Sequence, residues 1–276
     1  MDHTLPPDHH ILARDLAFPE GPAFAPDGAL WCVELKAETL VRIEHGQVQR
    51  IHVGGGPNGI AFDRSGTLWF CDSAQDAIRT YDVASGICET VASASAAHDL
   101  RGPNDLAFAG DGSLVFTCPG TSRQEPTGMV WRLSRERKLT LVAEGLYFPN
   151  GLAFTEGSKQ LVVAETYRHR LWRGLWNCDR GRWVDPKPYA ELGGPVGPDG
   201  MALGGDGRMR VAVYGQQAVK IVGDSGDIDV VIATPGRNPT NCAFDPTGRL
   251  GLVVTEAERG EIIAYPNVGS GAPLNG

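Results

Sequence analysis

At 276 residues the chain is long enough to bury a core without disulfides or a structural metal, and its 36 glycines and 19 prolines argue against a helical bundle. A formal net charge of −8, with no basic run beyond Arg135-Glu136-Arg137-Lys138, excludes nucleic acid and anionic membranes as partners, because both demand a basic surface. Six scattered cysteines without a CxxC pair read as buried thiols of a reducing compartment.

In chain order, Met1 to His10 is polar, with no basic and apolar regions of the kind that make a signal peptide. No later run approaches the ~20 apolar residues of a membrane helix, so the expected location is the cytoplasm. Ile11 to Leu16 is strand-like. Then a motif begins that recurs six times. Its copies are Phe18-Pro19-Glu20-Gly21-Pro22-Ala23-Phe24, Gly56-Pro57-Asn58-Gly59-Ile60-Ala61-Phe62 and Gly102-Pro103-Asn104-Asp105-Leu106-Ala107-Phe108, followed by Phe148-Pro149-Asn150-Gly151-Leu152-Ala153-Phe154, Gly197-Pro198-Asp199-Gly200-Met201-Ala202-Leu203 and Asn238-Pro239-Thr240-Asn241-Cys242-Ala243-Phe244. Aligned on the alanine, they lie 38, 46, 46, 49 and 41 residues apart.

After each copy comes a Gly-containing turn and a second apolar strand, as in Asp27-Gly28 before Leu30-Trp31-Cys32-Val33. Alternating third and fourth strands follow, such as Met129 to Leu133 and Lys138 to Ala143. Four strands in a period near 45 residues predict an all-β fold, a six-bladed β-propeller of four antiparallel strands per blade. Residues 1–276 form one domain on this reading, with 1–9 and 267–276 as flexible tails. The sixth blade lacks a fourth strand, and Ile11 to Leu16 is expected to supply it and close the ring. Pro119 to Gly128 is too long for a hairpin, and Trp176 to Tyr189 swells blade four; both are candidate loops over a ligand site or plain surface decoration. Gly223-Asp224-Ser225-Gly226-Asp227 looks like a protease nucleophile segment, but it falls in a turn between outer strands and reads as hairpin chemistry.

Three residues before each repeat alanine stands a polar residue: Glu20, Asn58, Asn104, Asn150, Asp199 and Thr240. Each is at the entrance to the strand nearest the axis, so the six converge at one end of the channel. Asn, Asp and Thr also suit turns, and turn chemistry alone accounts for most of them; Glu20 is the poor fit to that explanation. Carboxylates and amides gathered at a channel mouth are costly unless a cation or water satisfies them. Oxygen ligands of this kind suit one hard divalent ion: Ca²⁺, Mg²⁺ or Mn²⁺, less readily Zn²⁺. Glu20 and Asp199 would balance its charge, and Asn104 and Asn150 would add neutral oxygens.

These motifs resemble the regucalcin/gluconolactonase/luciferin-regenerating-enzyme family of six-bladed propellers, in order and over nearly the whole chain. The resemblance implies that Glu20, Asn150 and Asp199 bind one divalent metal, that Asn104 touches metal, water or substrate, and that Asp199 is the general base. Aldonolactonases of the family place an arginine two residues before the Asn104 position and a glutamate after the second strand of blade three. Here Gly102 and Cys118 occupy those regions, and Arg101 and Glu125 are the nearest candidates for substrate contact. Tyr147 and Tyr214 are further candidates to line the pocket. The expected activity is metal-dependent opening of a small-molecule lactone, a sugar (aldono-) lactone first. A phosphotriesterase at the same metal and a non-catalytic cation- or ligand-binding propeller are the alternatives.

Overall fold

The computed structural model describes residues 3–5 and 8–275. Six four-stranded antiparallel sheets follow one another in chain order, and among the described residues there is no α-helix. The innermost strands are Pro19–Phe24, Pro57–Phe62, Leu106–Phe108, Pro149–Phe154, Gly197–Leu203 and Pro239–Phe244 in blades 1 to 6. Each touches the next around the ring, and the last touches the first. This is the predicted six-bladed propeller.

Closure is as expected. His10–Ala13 pairs antiparallel with Glu261–Tyr265 and is the outer strand of blade 6, so the last sheet is stitched from both chain ends. Leu16 continues the seam through its amide to Gly260 O at 3.0 Å. His3–Leu5 adds a short parallel strand beside Ile228–Ala233 at the rim of blade 5. The tail residues Ser270 and Ala272 are also tied, Ser270 O accepting from Gly205 N at 2.8 Å and Ala272 N donating to Leu203 O at 3.0 Å.

Alternation along the strands gives each blade two apolar faces, and the core divides accordingly into six clusters, one between each pair of neighbouring blades. Between blades 1 and 2, for example, Trp31, Val33 and Leu40 pack on Ile60, Leu68 and Phe70. A fully buried side chain of this size contributes about 1.5–3 kcal/mol, so every interface stabilises the closed ring and no single blade stands alone.

One sequence expectation is corrected. The swelling at Trp176 to Tyr189 is not a loop: Arg170–Asn177 and Arg182–Glu191 form a long outer hairpin with Trp176 opposite Trp183. Both tryptophans are buried, and Trp176 meets Phe154 edge-on at 5.3 Å, so apolar burial extends the strands instead of freeing a loop. Pro119 to Gly128 does lie between strands, as a chain of turns from Cys118 to Gly128. The Gly223–Asp227 segment is the expected hairpin turn, with Ser225 Oγ donating to Asp227 Oδ2 at 2.7 Å.

Candidate active site

An acidic residue at or near the end of the second strand in four blades builds the turn that presents each ring residue. Glu34, Asp72, Glu165 and Glu256 are buried and accept the amides of Ala17, Gly56, Tyr147 and Asn238 at 3.0, 2.8, 2.8 and 2.9 Å. Arginines neutralise three of them: Arg50 on Glu34, Arg79 on Asp72 and Arg170 on Glu165, at 2.9, 2.8 and 2.8 Å. Charge-assisted bonds of this kind are stronger than neutral ones and fix the entrance of the inner strand.

Buried threonines then clamp three of the six inner strands to the preceding blade. Thr117 Oγ1 donates to Asn150 O, Thr166 Oγ1 to Pro198 O and Thr240 Oγ1 to Pro19 O, each at 2.8 Å and each from one blade to the next. The backbone carrying Glu20, Asn150 and Asp199 is therefore held from two sides.

Those three side chains meet at the axis, with exposures of 6 %, 6 % and 8 %. Burial raises the Glu20 pKa well above the carboxylate range, and the charges of Asp199 and Asp105 push it further; the Gly21 amide, 3.1 Å from Oε2, pulls the other way. Asp199 is likewise raised, by burial first and by Asp105 second, against hydrogen bonds from Asn150 and Gly200. Asn150 Nδ2 donates to Thr166 Oγ1 at 3.3 Å, and because the Thr166 proton goes to Pro198 O, that end of the amide must be nitrogen. With its N–H groups so used, Asn150 has its carbonyl oxygen to offer. Asn58 and Thr240 are buried in the same ring, whereas Asn104 is only half-buried and has access to solvent.

Two axial residues escaped the sequence reading, Asp105 and Asn241. They replace the glycine of the repeated Pro-x-Gly in blades 3 and 6, which stand opposite one another, and Asn241 Nδ2 donates to Asp105 Oδ2 at 3.2 Å across the channel. Their own strands hold them, through Leu106 N to Asp105 Oδ1 at 2.9 Å and Cys242 N to Asn241 Oδ1 at 2.8 Å. The glycines kept in the preceding blades leave the room: a Cβ on Gly59 would run into the Asp105 carboxylate, and one on Gly200 into the Asn241 amide. Burial lifts the Asp105 pKa to about 6. The findable signal was that both departures from Pro-x-Gly are polar and three blades apart.

The outer candidates divide. Tyr214 stacks on Phe18 with centroids 6.4 Å apart; its pKa is raised by burial and then by the charges of Asp199 and Glu20, which places it beside the ring. Tyr147 is half-buried under Arg168, whose guanidinium carbon is 3.6 Å from the ring centroid. Arg101 and Glu125 line a surface cavity of about 470 Å³ with Thr121, Arg123, Gln124 and Thr127, and no ring residue lines it. A larger cavity of about 890 Å³ occupies the opposite end of the channel, between Asp105 and Asn241 and the C-terminal residues Gly271 to Asn275. Neither cavity contains Glu20, Asn150 or Asp199; the convergence of buried carboxylates, not cavity volume, marks the site.

No three His, Cys, Asp or Glu among the described residues are grouped to hold a metal by themselves. The donor set that the ring provides is instead two buried carboxylates and an amide oxygen. That set fits a hard divalent cation, whose charge would offset the repulsion between Glu20 and Asp199.

The chain is thus a closed six-bladed propeller with an acidic, amide-bearing ring at one mouth of its channel. Residues 18–258 match the SMP-30/Gluconolactonase/LRE-like region, and the chain belongs to that family. It is 25 % identical over 285 residues to the diisopropyl-fluorophosphatase of Loligo vulgaris, covering 91 % of this chain and 89 % of that one. It is 24 % identical over 276 residues to the gluconolactonase of Zymomonas mobilis, covering 87 % and 76 %. The structure of regucalcin, a calcium-binding protein from Agrobacterium tumefaciens, superposes with a TM-score of 0.86 over 100 % of both chains at 18 % identity, a likeness of fold.

Proposed function

We propose that the protein is a metal-dependent lactonase of the gluconolactonase type. The observation that carries this is the meeting of Glu20, Asn150 and Asp199, buried and held by threonine clamps, on the axis of a propeller of this family. A divalent ion (Ca²⁺, Mg²⁺, Mn²⁺ or Zn²⁺) bound by these three would supply Lewis-acid polarisation of the lactone carbonyl. Asp199 would take the proton of the attacking water as general base. Asn104, the ring member open to solvent, orients water or the ring oxygen. Two relatives support hydrolysis over mere cation binding, one a gluconolactonase and one a fluorophosphatase. The six free cysteines, four of them buried, suit the cytoplasm; no helix among the described residues is long and apolar enough to cross a membrane.

The test is acid release from a panel of sugar, aliphatic and aryl lactones, before chelation, after it, and with each metal restored. The expected result is lactone opening that chelator abolishes and metal restores. Cleavage of diisopropyl fluorophosphate with no lactone opened would move the activity to phosphotriester chemistry. Binding of metal with neither activity would make the protein a cation-binding propeller.

A further inference from the structure

We propose that the far end of the channel is a second ligand site, built for a slender apolar molecule with a cationic head, an alkylammonium ion held by Asp105. The proposal goes beyond the lactonase reading and does not depend on it, because Glu20, Asn150 and Asp199 do not line this cavity. It starts from the close of the repeated motif, where every copy carries alanine followed by phenylalanine, or once by leucine. All six alanines, from Ala23 to Ala243, line the cavity of about 890 Å³, and so do the five phenylalanines and Leu203 that follow them. Alanine is short enough to leave the channel open while the inner strands pack around it; longer side chains in all six copies would fill the space. Ile60, Leu106, Leu152 and Met201 add to the apolar wall. The outer wall is completed by Ser270 to Asn275. That stretch is held to blade 5 by Ala272 N on Leu203 O at 3.0 Å. Asn275 Nδ2 ties it to blades 3 and 4, donating to Phe108 O at 3.3 Å and Ser158 Oγ at 2.8 Å. Sites for organic ligands have this character, roughly 300–1,000 Å³ of mostly apolar surface with a few placed polar groups.

The polar groups fix the sign of the head. Four aspartates line the cavity, Asp27, Asp63, Asp105 and Asp245, against one arginine, Arg64. Such a balance draws in a cation and disfavours an anion. Asp105 holds the inner position and is buried. Glu34, Asp72 and Glu165, the buried acids behind the inner strands, each have an arginine at 2.9, 2.8 and 2.8 Å. Asp105 instead accepts from the Leu106 amide at 2.9 Å and from Asn241 Nδ2 at 3.2 Å, and has no ion pair among the described residues. A buried carboxylate supported by neutral donors alone is costly, and an ammonium group would supply the missing charge together with N–H donors. A divalent ion fits this end poorly. It takes six or more oxygens, whereas the floor offers one carboxylate beside an amide whose Oδ1 already accepts Cys242 N at 2.8 Å. Hydrocarbon walls behind a single carboxylate suit an amphiphile.

The experiment is calorimetry at neutral pH on the full chain in saturating Mg²⁺, with octylamine, 1-octanol and octanoate, which share a chain and differ in the head. Octylamine should bind with a stoichiometry of one, about tenfold tighter than octanol, the difference between a charge-assisted and a neutral hydrogen bond. Octanoate should bind weakest. Butylamine should bind about a hundredfold more weakly than octylamine, since each buried methylene is worth about fourfold. Asp105→Asn should bring octylamine to the level of octanol and leave octanol within about threefold of its parent value. Ala243→Leu narrows the cavity and should weaken octylamine and octanol alike, by about tenfold. Melting curves of both variants show that the fold is kept, and if one fails to fold, the order of heads and the dependence on chain length in the parent protein still decide. No binding of octylamine, octanoate bound as tightly as octylamine, butylamine as tight as octylamine, or a folded Asp105→Asn protein that keeps the parent's preference would each overturn the proposal.

Discussion

Asp199→Asn should lower kcat by roughly a thousandfold while leaving a protein that still binds a divalent ion at raised metal concentration. Asparagine keeps a carbonyl oxygen where a ligand is needed and removes the only proton acceptor assigned to the attacking water. Loss of a positioned general base costs about 10²–10⁴-fold. The comparison must be made at saturating metal, because the substitution also removes one of the two charges that balance the cation. Activity within about threefold of the parent, against that expected range, would end the base assignment and leave Asp199 as a ligand alone.

The metal-free protein should grow more stable as the pH falls from about 7 toward about 4, the reverse of ordinary acid denaturation. Burial holds the Asp105 pKa at about 6 against an ordinary 3.8, and Glu20 and Asp199 are raised in the same sense. The folded state thus keeps protons that the unfolded chain has already released, and stability is lost as pH rises through that window. For Asp105 alone the loss is about 3 kcal/mol. Carboxylates whose pKa is lowered by hydrogen bonds, such as Asp63 and Asp111, act below pH ~4 and do not mask the effect. Asp105→Asn keeps an acceptor for Asn241 and discards the charge. In chelator it should therefore be more stable than the parent at pH 8 and equal to it near pH 4, while the melting temperature it gains from a divalent ion should shrink. Denaturant titrations at both pH values, with and without metal, check this. Equal destabilisation at both would show that Asp105 acts through shape and not through charge.

The period of the repeat was enough to count the blades, because a four-stranded blade cannot bury its faces alone and the sequence must supply the next one. It also located the closing strand, since a missing fourth strand in blade 6 matched a spare one before blade 1. The ring was legible for the same reason: equivalent positions on a closed ring must converge. What the repeat hid lay in its exceptions. Asp105 and Asn241 look like ordinary turn substitutions until the topology sets blades 3 and 6 face to face. Thr117 and Thr166 look like strand residues until an adjacent blade brings a carbonyl to each. Phe18 and Phe148 head their copies of the motif, and only their φ angles show how unfavourable the choice is. The blade-four hairpin is not legible in the sequence because Trp176 and Trp183 become partners only across the paired strands.

The most direct measurement is a crystal soaked in a divalent ion with anomalous signal, such as Mn²⁺. The account predicts one strong peak on the axis, within about 2.0–2.6 Å of oxygens from Glu20, Asn150 and Asp199. A peak bound elsewhere, with these three left in contact only with water, would contradict it.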